Sequence, residues 1–280
     1  MQTEKKILIT ECPDQKGLVA KITTICFKQN LNIIKNSEFV DNLNGRFFMR
    51  TELEGDFKNR HLLTELDQAL PLGSHSRLVS KGRKKMAVLV TKEAHCLGEL
   101  LIKSHYGSLD ADIVTILGNH DTLKDLAEKF SIPFHFVDHQ GISREEHERE
   151  LLQVLSQYEF DYVVLAKYMR ILTADFVSSF PSRIINIHHS FLPAFIGAKP
   201  YHQAYERGVK IIGATAHFVN NDLDDGPIIT QSVVPVDHSY KPEDMAKAGR
   251  EVEESVLTGA LQKVIDEKVI VHGKRTVVFD

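Results

Sequence analysis

The chain has 280 residues, of which 42% are hydrophobic and 26% charged, and its formal net charge is −4 at pH 7. This length suits one large domain or two smaller ones, and the composition is that of an ordinary globular protein. No apolar run reaches the roughly 18 residues of a membrane span, the start lacks an apolar signal core, and the negative charge argues against a broad nucleic-acid surface. Three cysteines without C-x-x-C spacing are typical of reduced thiols, so we expect a cytoplasmic protein.

The first eighty residues predict a separate small domain. Apolar residues recur at helical spacing from Leu18, and two alternating segments flank a hairpin loop of about five residues. The predicted elements are a strand over Lys6–Thr10, a helix from Leu18, strands over Asn32–Val40 and Arg46–Leu53, a helix over Leu62–Leu70 and a strand at Leu78-Val79. The order βαββαβ is the ferredoxin-like arrangement. The basic cluster from Lys81 to Lys85 then predicts a solvated linker rather than a phosphate-binding patch.

Residues 86–280 predict a second, α/β domain. Short strands rich in β-branched residues are expected over Met86–Val90, Ile113–Leu117, Phe134–Val137, Tyr162–Leu165 and Ile184–Ile187. Helices over Leu97–His105, Thr122–Phe130 and Ser143–Tyr158 separate the first four. This alternation predicts a mostly parallel, doubly wound sheet with ligands beyond the carboxyl ends of its strands. Strands over Ile211–Val219 and Ile228–Val236, a helix over Pro242–Glu267 and a terminal hairpin follow.

The segment Ile185–Pro193 runs out of the last of these short strands and carries polar side chains. Asn186 and His188 are two residues apart, so on a strand both side chains project from the same face. An amide that donates to an oxyanion, beside a group that carries a proton, is suited to acyl transfer. The alternative is an ordinary strand end with a solvated histidine, and this segment alone does not decide between them.

The sequence has no standard cofactor or metal motif. It contains neither G-x-G-x-x-G nor G-x-x-x-x-G-K-[ST], and its fourteen histidines form no H-E-x-x-H. The acidic loop Asn220–Gly226 fails as a calcium loop because Val233 stands where a bidentate glutamate is required. We therefore expect neither a metal nor a cofactor.

Two further segments are candidates for the same site. The acidic loop carries carboxylates that could accept a proton. With Asn186 and His188 they would complete a catalytic set of amide, imidazole and carboxylate. The alternative is that this loop is simply a polar turn between two strands. Ala166–Leu172 follows a predicted strand, and its methionine and aliphatic residues could line a slot for a flat aromatic ligand. They could equally belong to the core, and periodicity alone does not choose.

Together these motifs resemble the formyltransferase family that uses 10-formyltetrahydrofolate. The resemblance covers about residues 84–240 and rests on Asn186-Ile187-His188 with Ser190 and Leu192-Pro193, on His217-Phe218-Val219 with Asp222-Leu223-Asp224-Asp225-Gly226-Pro227, and on Tyr168-Met169-Arg170-Ile171-Leu172. It implies that Asn186, His188 and Asp224 are catalytic. It also implies that the folate substrate is bound by Arg144, Met169, Arg170, Ile171, Leu172 and His217.

The sequence departs from the pattern of this family in two places, and these departures indicate which of its members the chain resembles. Glycinamide ribonucleotide transformylases hold their acceptor's phosphate with a Gly-Asn-Gly-Ser-Asn loop after the first strand, whereas Thr91–Cys96 at that place lacks the glycines. The first eighty residues, with Cys12–Leu18, look like an ACT domain, a small regulatory fold. Joined to His189–Pro193 and Lys199–His202, this combination is similar to the formyltetrahydrofolate deformylase family.

That resemblance implies hydrolysis of 10-formyltetrahydrofolate to formate and tetrahydrofolate, which supplies formate for purine biosynthesis and balances one-carbon pools. Asp224 would accept the proton of the attacking water, while an imidazolium at His188 and the amide of Asn186 would stabilise the oxyanion. Without the family, the sequence does not say which of the three acidic residues at 222, 224 and 225 lies nearest the reacting carbon. Two alternatives stay open: a transferase that formylates an amine with the same trio, and a sensor without turnover.

For the first eighty residues, the resemblance implies regulation by a small amino acid, which in this family is linked to methionine and glycine. Asp14, Gly17 and Leu18 lie in the loop where ACT domains bind such ligands. An oligomerisation surface without a ligand is the alternative. Because ACT modules commonly pair through their sheets, we expect a homo-oligomer, with neither nucleic acid nor membrane as a partner.

Overall fold

The computed structural model describes residues 3–58, 61–194 and 200–280, which form two compact units. The first unit contains the described residues up to Gly82, with Asp266–Lys268 and Val277–Asp280; the second contains those within Arg83–Ile265 and Val269–Thr276. Lys199, part of a motif quoted above, lies outside the described residues. Within the described ranges, no helix has both the length and the apolar character needed to cross a bilayer.

The first unit has the βαββαβ order expected from the sequence. Its elements are β1 (Glu4–Pro13), α1 (Leu18–Lys28), β2 (Asn32–Asp41), β3 (Arg46–Gly55), α2 (Leu62–Ala69) and β4 (His75–Ser80). The strands lie in the order β2-β3-β1-β4, and each neighbouring pair is antiparallel. Leu18, Ile22 and Cys26 form one buried face of α1 and share a core with Leu8 and Met49 of the sheet. The ferredoxin-like arrangement is thus confirmed.

A buried arginine explains why residues distant in sequence belong to the first unit. Arg50 of β3 donates from Nε to the carbonyl oxygen of Glu267 (2.9 Å) and from a guanidinium nitrogen to that of Asp266 (2.8 Å). It also pairs with Glu52 at 2.9 Å. Because a buried guanidinium is tolerated only when its donors are satisfied, these carbonyls stabilise Arg50 in the core.

The second unit follows the predicted alternation of strands and helices. Its elements are β5 (Lys84–Val90), α3 (His95–His105), β6 (Ala111–Gly118), α4 (Lys124–Lys129), β7 (Phe134–Phe136), α5 (Arg144–Leu155), β8 (Tyr162–Ala166), α6 (Ala174–Ser179), β9 (Ile184–His188), α7 (Pro200–Glu206), β10 (Ile211–Phe218), β11 (Ile228–Pro235) and α8 (Pro242–Ile265). A terminal hairpin of β12 (Val269–His272) and β13 (Arg275–Val278) closes the chain. Ser143 and Glu146 form the expected capping box at the start of α5.

The seven-stranded sheet of the second unit has the order β11-β10-β9-β8-β5-β6-β7. The strands from β5 to β9 are parallel, and β10 is antiparallel to both β9 and β11. From β5 the chain first builds one side of the sheet, through β6 and β7, and then returns to build the other side from β8. The predicted doubly wound, mostly parallel sheet is confirmed, and its switch point lies between β5 and β8.

Two short helices, α6 and α7, were not expected from the sequence. Each has six or seven residues, which is fewer than two turns and too short for an apolar period to be visible. The start of α6 is fixed by Thr173, whose hydroxyl accepts a hydrogen bond from the Phe176 amide. Only Phe176 and Val177 of α6 are buried, so this helix depends on its cap and on tertiary packing.

Candidate active site

The carboxyl end of β9 borders a cavity of about 340 Å³ in the second unit. Asn186 and His188 both line it, which fits the same-face projection of alternate strand residues. The rest of the lining comes from the segment that follows β8, from the loop that follows β10 and from neighbours of these residues: Leu165, Lys167–Leu172, Ile187, His189, His217 and Val219–Asp224. The three segments singled out in the sequence therefore meet at one place.

His188 and Asp224 form a close, largely buried pair. Nδ1 of His188 lies 3.2 Å from Oδ1 of Asp224, and the two side chains are 6% and 13% exposed. Burial raises the pKa of the Asp224 carboxyl, but the hydrogen bond and charge of His188 outweigh burial, so this pKa lies below its usual value. Asp224 is therefore a carboxylate at neutral pH. Among the described residues, Nε2 of His188 has no hydrogen-bond partner although it is buried, which is typical of a group that meets a ligand.

The amide of Asn186 is oriented by His217, its register partner on the adjacent strand β10. Nδ1 of His217 donates to the carbonyl oxygen of Phe218 (2.9 Å), and its Nε2 therefore accepts from Nδ2 of Asn186 (3.2 Å). Burial lowers the pKa of His217, which keeps the ring neutral and Nε2 an acceptor. His217, expected to bind substrate, thus also fixes which way the Asn186 amide faces.

The loop that carries Asp224 packs closely against the end of β10. A Cβ atom at Gly226 would lie 1.7 Å from the carbonyl oxygen of Phe218, so only glycine permits this approach. The Phe218 amide donates to the carbonyl oxygen of Pro227 at 2.9 Å. Asp224 itself has a φ of 55°, a left-handed conformation that aspartate and asparagine tolerate better than most residues.

The segment after β8 forms an apolar wall of the cavity. The side chains of Met169 and Ile171 remain about half exposed although they are apolar, and both line the cavity with Leu172. The Met169 amide donates to the hydroxyl of Thr91 at 2.9 Å, which ties this segment to the residue after β5 across the switch point. An exposed apolar surface beside convergent polar groups is typical of a small-molecule site.

The remaining predicted site residues lie elsewhere. Arg144 is an exposed residue at the first position of α5, and it is not part of the described cavity lining. Asp14, Gly17 and Leu18 lie in the first unit. Gly17 has a φ of 85° and precedes α1, the amide of Asp14 donates to the carbonyl oxygen of Gly45, and Leu18 is buried in the core. The side chain of Leu18 therefore packs rather than being free to bind.

Sequence reasoning missed a charged group beside the cavity. Lys167 lies 3.2 Å from Glu253 of α8, and Glu253 also accepts hydrogen bonds from His95 and Tyr201, each at 2.7 Å. A glutamate in the middle of a long helix gives no sign that it is buried. The only available signal was Lys167 itself, a charged residue directly after a buried strand.

This group also brings three potential metal ligands together. One atom each from His95, Cys96 and Glu253 lies within 4.8 Å of the others. However, burial raises the pKa of the Cys96 thiol, and a protonated thiol is a poor ligand. The ammonium group of Lys167 already supplies the positive charge next to Glu253. The donor set therefore does not favour a metal ion.

Comparison with known proteins agrees with the two units. Residues 84–261 match the formyl transferase family and residues 6–71 match the ACT domain. The chain is 61% identical to the formyltetrahydrofolate deformylase of Escherichia coli K12 over 276 residues, which cover 99% of each chain. A crystal structure of a formyltetrahydrofolate deformylase from Pseudomonas syringae pv. tomato is similar with a TM-score of 0.93 and 38% identity, covering 100% of this chain and 95% of that one.

A transferase of the same fold matches only part of the chain. The glycinamide ribonucleotide transformylase 1 of Symbiobacterium toebii superposes with a TM-score of 0.68 and 29% identity, covering 71% of this chain and 95% of its own. The deformylases, in contrast, match over nearly the whole length, including the ACT domain. The chain belongs to the formyltetrahydrofolate deformylase family.

Proposed function

We propose that the protein hydrolyses 10-formyltetrahydrofolate to formate and tetrahydrofolate. The observation that carries the proposal is the convergence, in one cavity, of the Asp224–His188 pair with the oriented amide of Asn186. A carboxylate base, an imidazole and an amide donor are the groups that attack on a formyl carbon requires. The apolar wall of Met169 and Ile171 suits the flat pterin ring of a folate.

In the proposed reaction, the oxygen of a water molecule forms a bond to the formyl carbon while Asp224 accepts one of its protons. The lowered pKa of Asp224 keeps it able to do so at neutral pH. The developing oxyanion accepts hydrogen bonds from Nε2 of His188 and from the amide of Asn186. Nδ1 of His188 lies 3.2 Å from Asp224, and this contact orients the ring. The bond from the formyl carbon to the folate nitrogen then breaks, and that nitrogen takes the proton from Asp224.

Substrate binding is assigned to the cavity wall and to two arginines. Met169, Ile171 and Leu172 would contact the pterin through their apolar side chains. Arg170, at the cavity, and Arg144, at the start of α5, would attract the negatively charged remainder of the folate. Because Arg144 does not line the cavity, its contact with the folate requires that the folate extend beyond the cavity lining.

The loop Asp14–Leu18 of the ACT domain is assigned to a small amino-acid effector. Since the side chain of Leu18 is buried, binding there would use backbone groups near Gly17 and the carboxylate of Asp14. We also propose that the enzyme is cytoplasmic and forms a homo-oligomer. The formate that it releases would supply purine biosynthesis. This reaction consumes only water and the folate, so the proposal includes no cofactor.

The test is to incubate the purified protein with 10-formyltetrahydrofolate and no acceptor. We expect release of formate and tetrahydrofolate in equal amounts, measured by a coupled formate assay and by the absorbance of the folate. Formation of product only after an amine is added would contradict the proposal and identify a transferase.

A further inference from the structure

The group around Glu253 is a buried network next to the reacting residues. We define this Glu253 network as Glu253, Lys167, His95 and Tyr201. Glu253 and Lys167 are 1% and 4% exposed. Burial raises the pKa of Glu253, but hydrogen bonds from His95 and Tyr201 and the charge of Lys167 outweigh it, and the pKa falls to about 2. Glu253 is therefore a carboxylate at neutral pH, and Nζ of Lys167 lies 3.2 Å from it.

The network borders the catalytic end of the cavity. Lys167 lines the cavity together with His188 and His189. The ring of His189 stacks on that of His188, with centroids 5.1 Å apart, and lies 6.3 Å from the ring of Tyr201. Burial and then the positive charge of Lys167 lower the pKa of His189 to about 4. His189 is therefore neutral at neutral pH, and Lys167, His188 and Asp224 all face the same cavity.

The Glu253 network requires features that do not by themselves stabilise the fold. A buried ion pair is usually no more stabilising than apolar residues of the same shape. Lys167 has a φ of 60°, a conformation that non-glycine residues adopt only where the surroundings enforce it. A Cβ atom at Gly249 would lie 1.9 Å from the hydroxyl oxygen of Tyr201, so α8 needs glycine there for Tyr201 to reach Glu253. Stability alone does not explain these features.

We propose that the Glu253 network selects water as the formyl acceptor, with Lys167 as the specificity-determining residue. Lys167 lines the cavity whereas Glu253 does not. Most amines carry a proton at neutral pH, so such a cation in the cavity meets the ammonium group first and is repelled by it. Water is neutral and can accept a hydrogen bond from the same group. Glu253, held by His95 and Tyr201, keeps Lys167 in place. This inference rests on the proposed hydrolysis and explains why that reaction does not become a transfer.

The test compares two substitutions of Lys167 in the full-length protein, with glycinamide as the added amine. Lys167→Gln keeps a donor for Glu253 and removes the positive charge, whereas Lys167→Arg keeps the charge. The products, formate and formylglycinamide, are separated by chromatography. We expect only formate from the wild type and from K167R. For K167Q, we expect formylglycinamide in proportion to the amine, at about tenfold or more above any trace that the wild type forms.

The controls separate this inference from the proposed function. If the wild type releases no formate, hydrolysis itself is wrong. If the wild type hydrolyses the folate and K167Q, folded and binding a folate analogue, still yields formate alone, only the role of Lys167 is wrong. Should K167Q not fold, the double variant K167M/E253Q, which removes both buried charges at once, is tested by the same criterion. Formylglycinamide from that variant supports the inference, and its absence overturns it.

Discussion

Nδ1 of His188 lies 3.2 Å from Oδ1 of Asp224, and this pair joins the end of β9 to the loop after β10. Because Asp225 points elsewhere and pairs with Lys274 at 2.7 Å, the geometry distinguishes between these neighbouring acidic residues. Of the acidic residues that the structure describes in this loop, Asp224 is the one that pairs with the imidazole of His188. These contacts support Asp224 over Asp225 as the proposed base.

Replacement of Asp224 by asparagine should nearly abolish hydrolysis. Loss of a general base costs on the order of 10²–10⁴ in rate, so we expect kcat to fall by about that factor, with little change in binding of a folate analogue. The matched control is Asp225→Asn, which removes only an exposed ion pair of small energetic value. A D224N protein with turnover similar to the wild type would remove Asp224 from the mechanism.

Replacement of Asn186 by alanine should lower kcat more than it changes KM. The amide is expected to donate to the oxyanion in the transition state, and removal of one such donor costs about 10²–10³ in kcat. Steady-state kinetics with 10-formyltetrahydrofolate measure both constants. A change confined to KM would show that Asn186 binds the ground state and does not stabilise the oxyanion.

Replacement of Ile171 by alanine should weaken substrate binding. A folate that covers this half-exposed side chain would bury apolar surface worth about 1–2 kcal/mol, so we expect KM to rise roughly tenfold with kcat changed less. The control is Ile102→Ala on α3, since both isoleucines are 49% exposed but Ile102 does not line the described cavity. Equal effects of the two substitutions would contradict the assignment of the wall.

Replacement of Gly226 by alanine should inactivate the enzyme by moving Asp224. The added Cβ would overlap the carbonyl oxygen of Phe218 at 1.7 Å, so the loop can no longer pack against β10. The control is Gly259→Ala on α8, where a Cβ has no neighbour within 4 Å and alanine should stabilise the helix by about 0.5–1 kcal/mol. Kinetics and thermal unfolding of both variants test this; an active G226A protein would contradict it.

The pH dependence of stability should reveal the charge on Glu253. Its pKa is about 2 in the folded protein, against a usual 4.5, so the ionised form is stabilised by folding. This contribution, on the order of 3 kcal/mol at 1.36 kcal/mol per pKa unit, is fully present above pH 4.5 and is lost as the pH falls towards 2. We expect the stability difference between the wild type and Glu253→Gln, measured by denaturant unfolding, to shrink over that range. A difference independent of pH would show that Glu253 is not charged.

Much of the fold could be predicted from the sequence because its cues are local. The β-branched run over Tyr162–Leu165 and the capping box at Ser143 depend only on neighbouring residues, and the structure has both the strand and the cap. The face shared by Asn186 and His188 also follows from strand geometry. The Glu253 network depends instead on contacts that Glu253 makes with residues 52 or more positions away, such as Tyr201 and Lys167. Nothing in a linear pattern indicates which charged residue of a long helix will be buried against which partner.

The left-handed backbone of Asp224 has a practical consequence for work with the substrate. Asparagine shares the tolerance of aspartate for this conformation and matches its size, so D224N should keep both the path of the loop and the shape of the cavity. Such a protein would bind 10-formyltetrahydrofolate without consuming it. It is therefore suited to crystallisation as a trapped complex with the intact formyl substrate, in which the position of the attacking water could be seen directly.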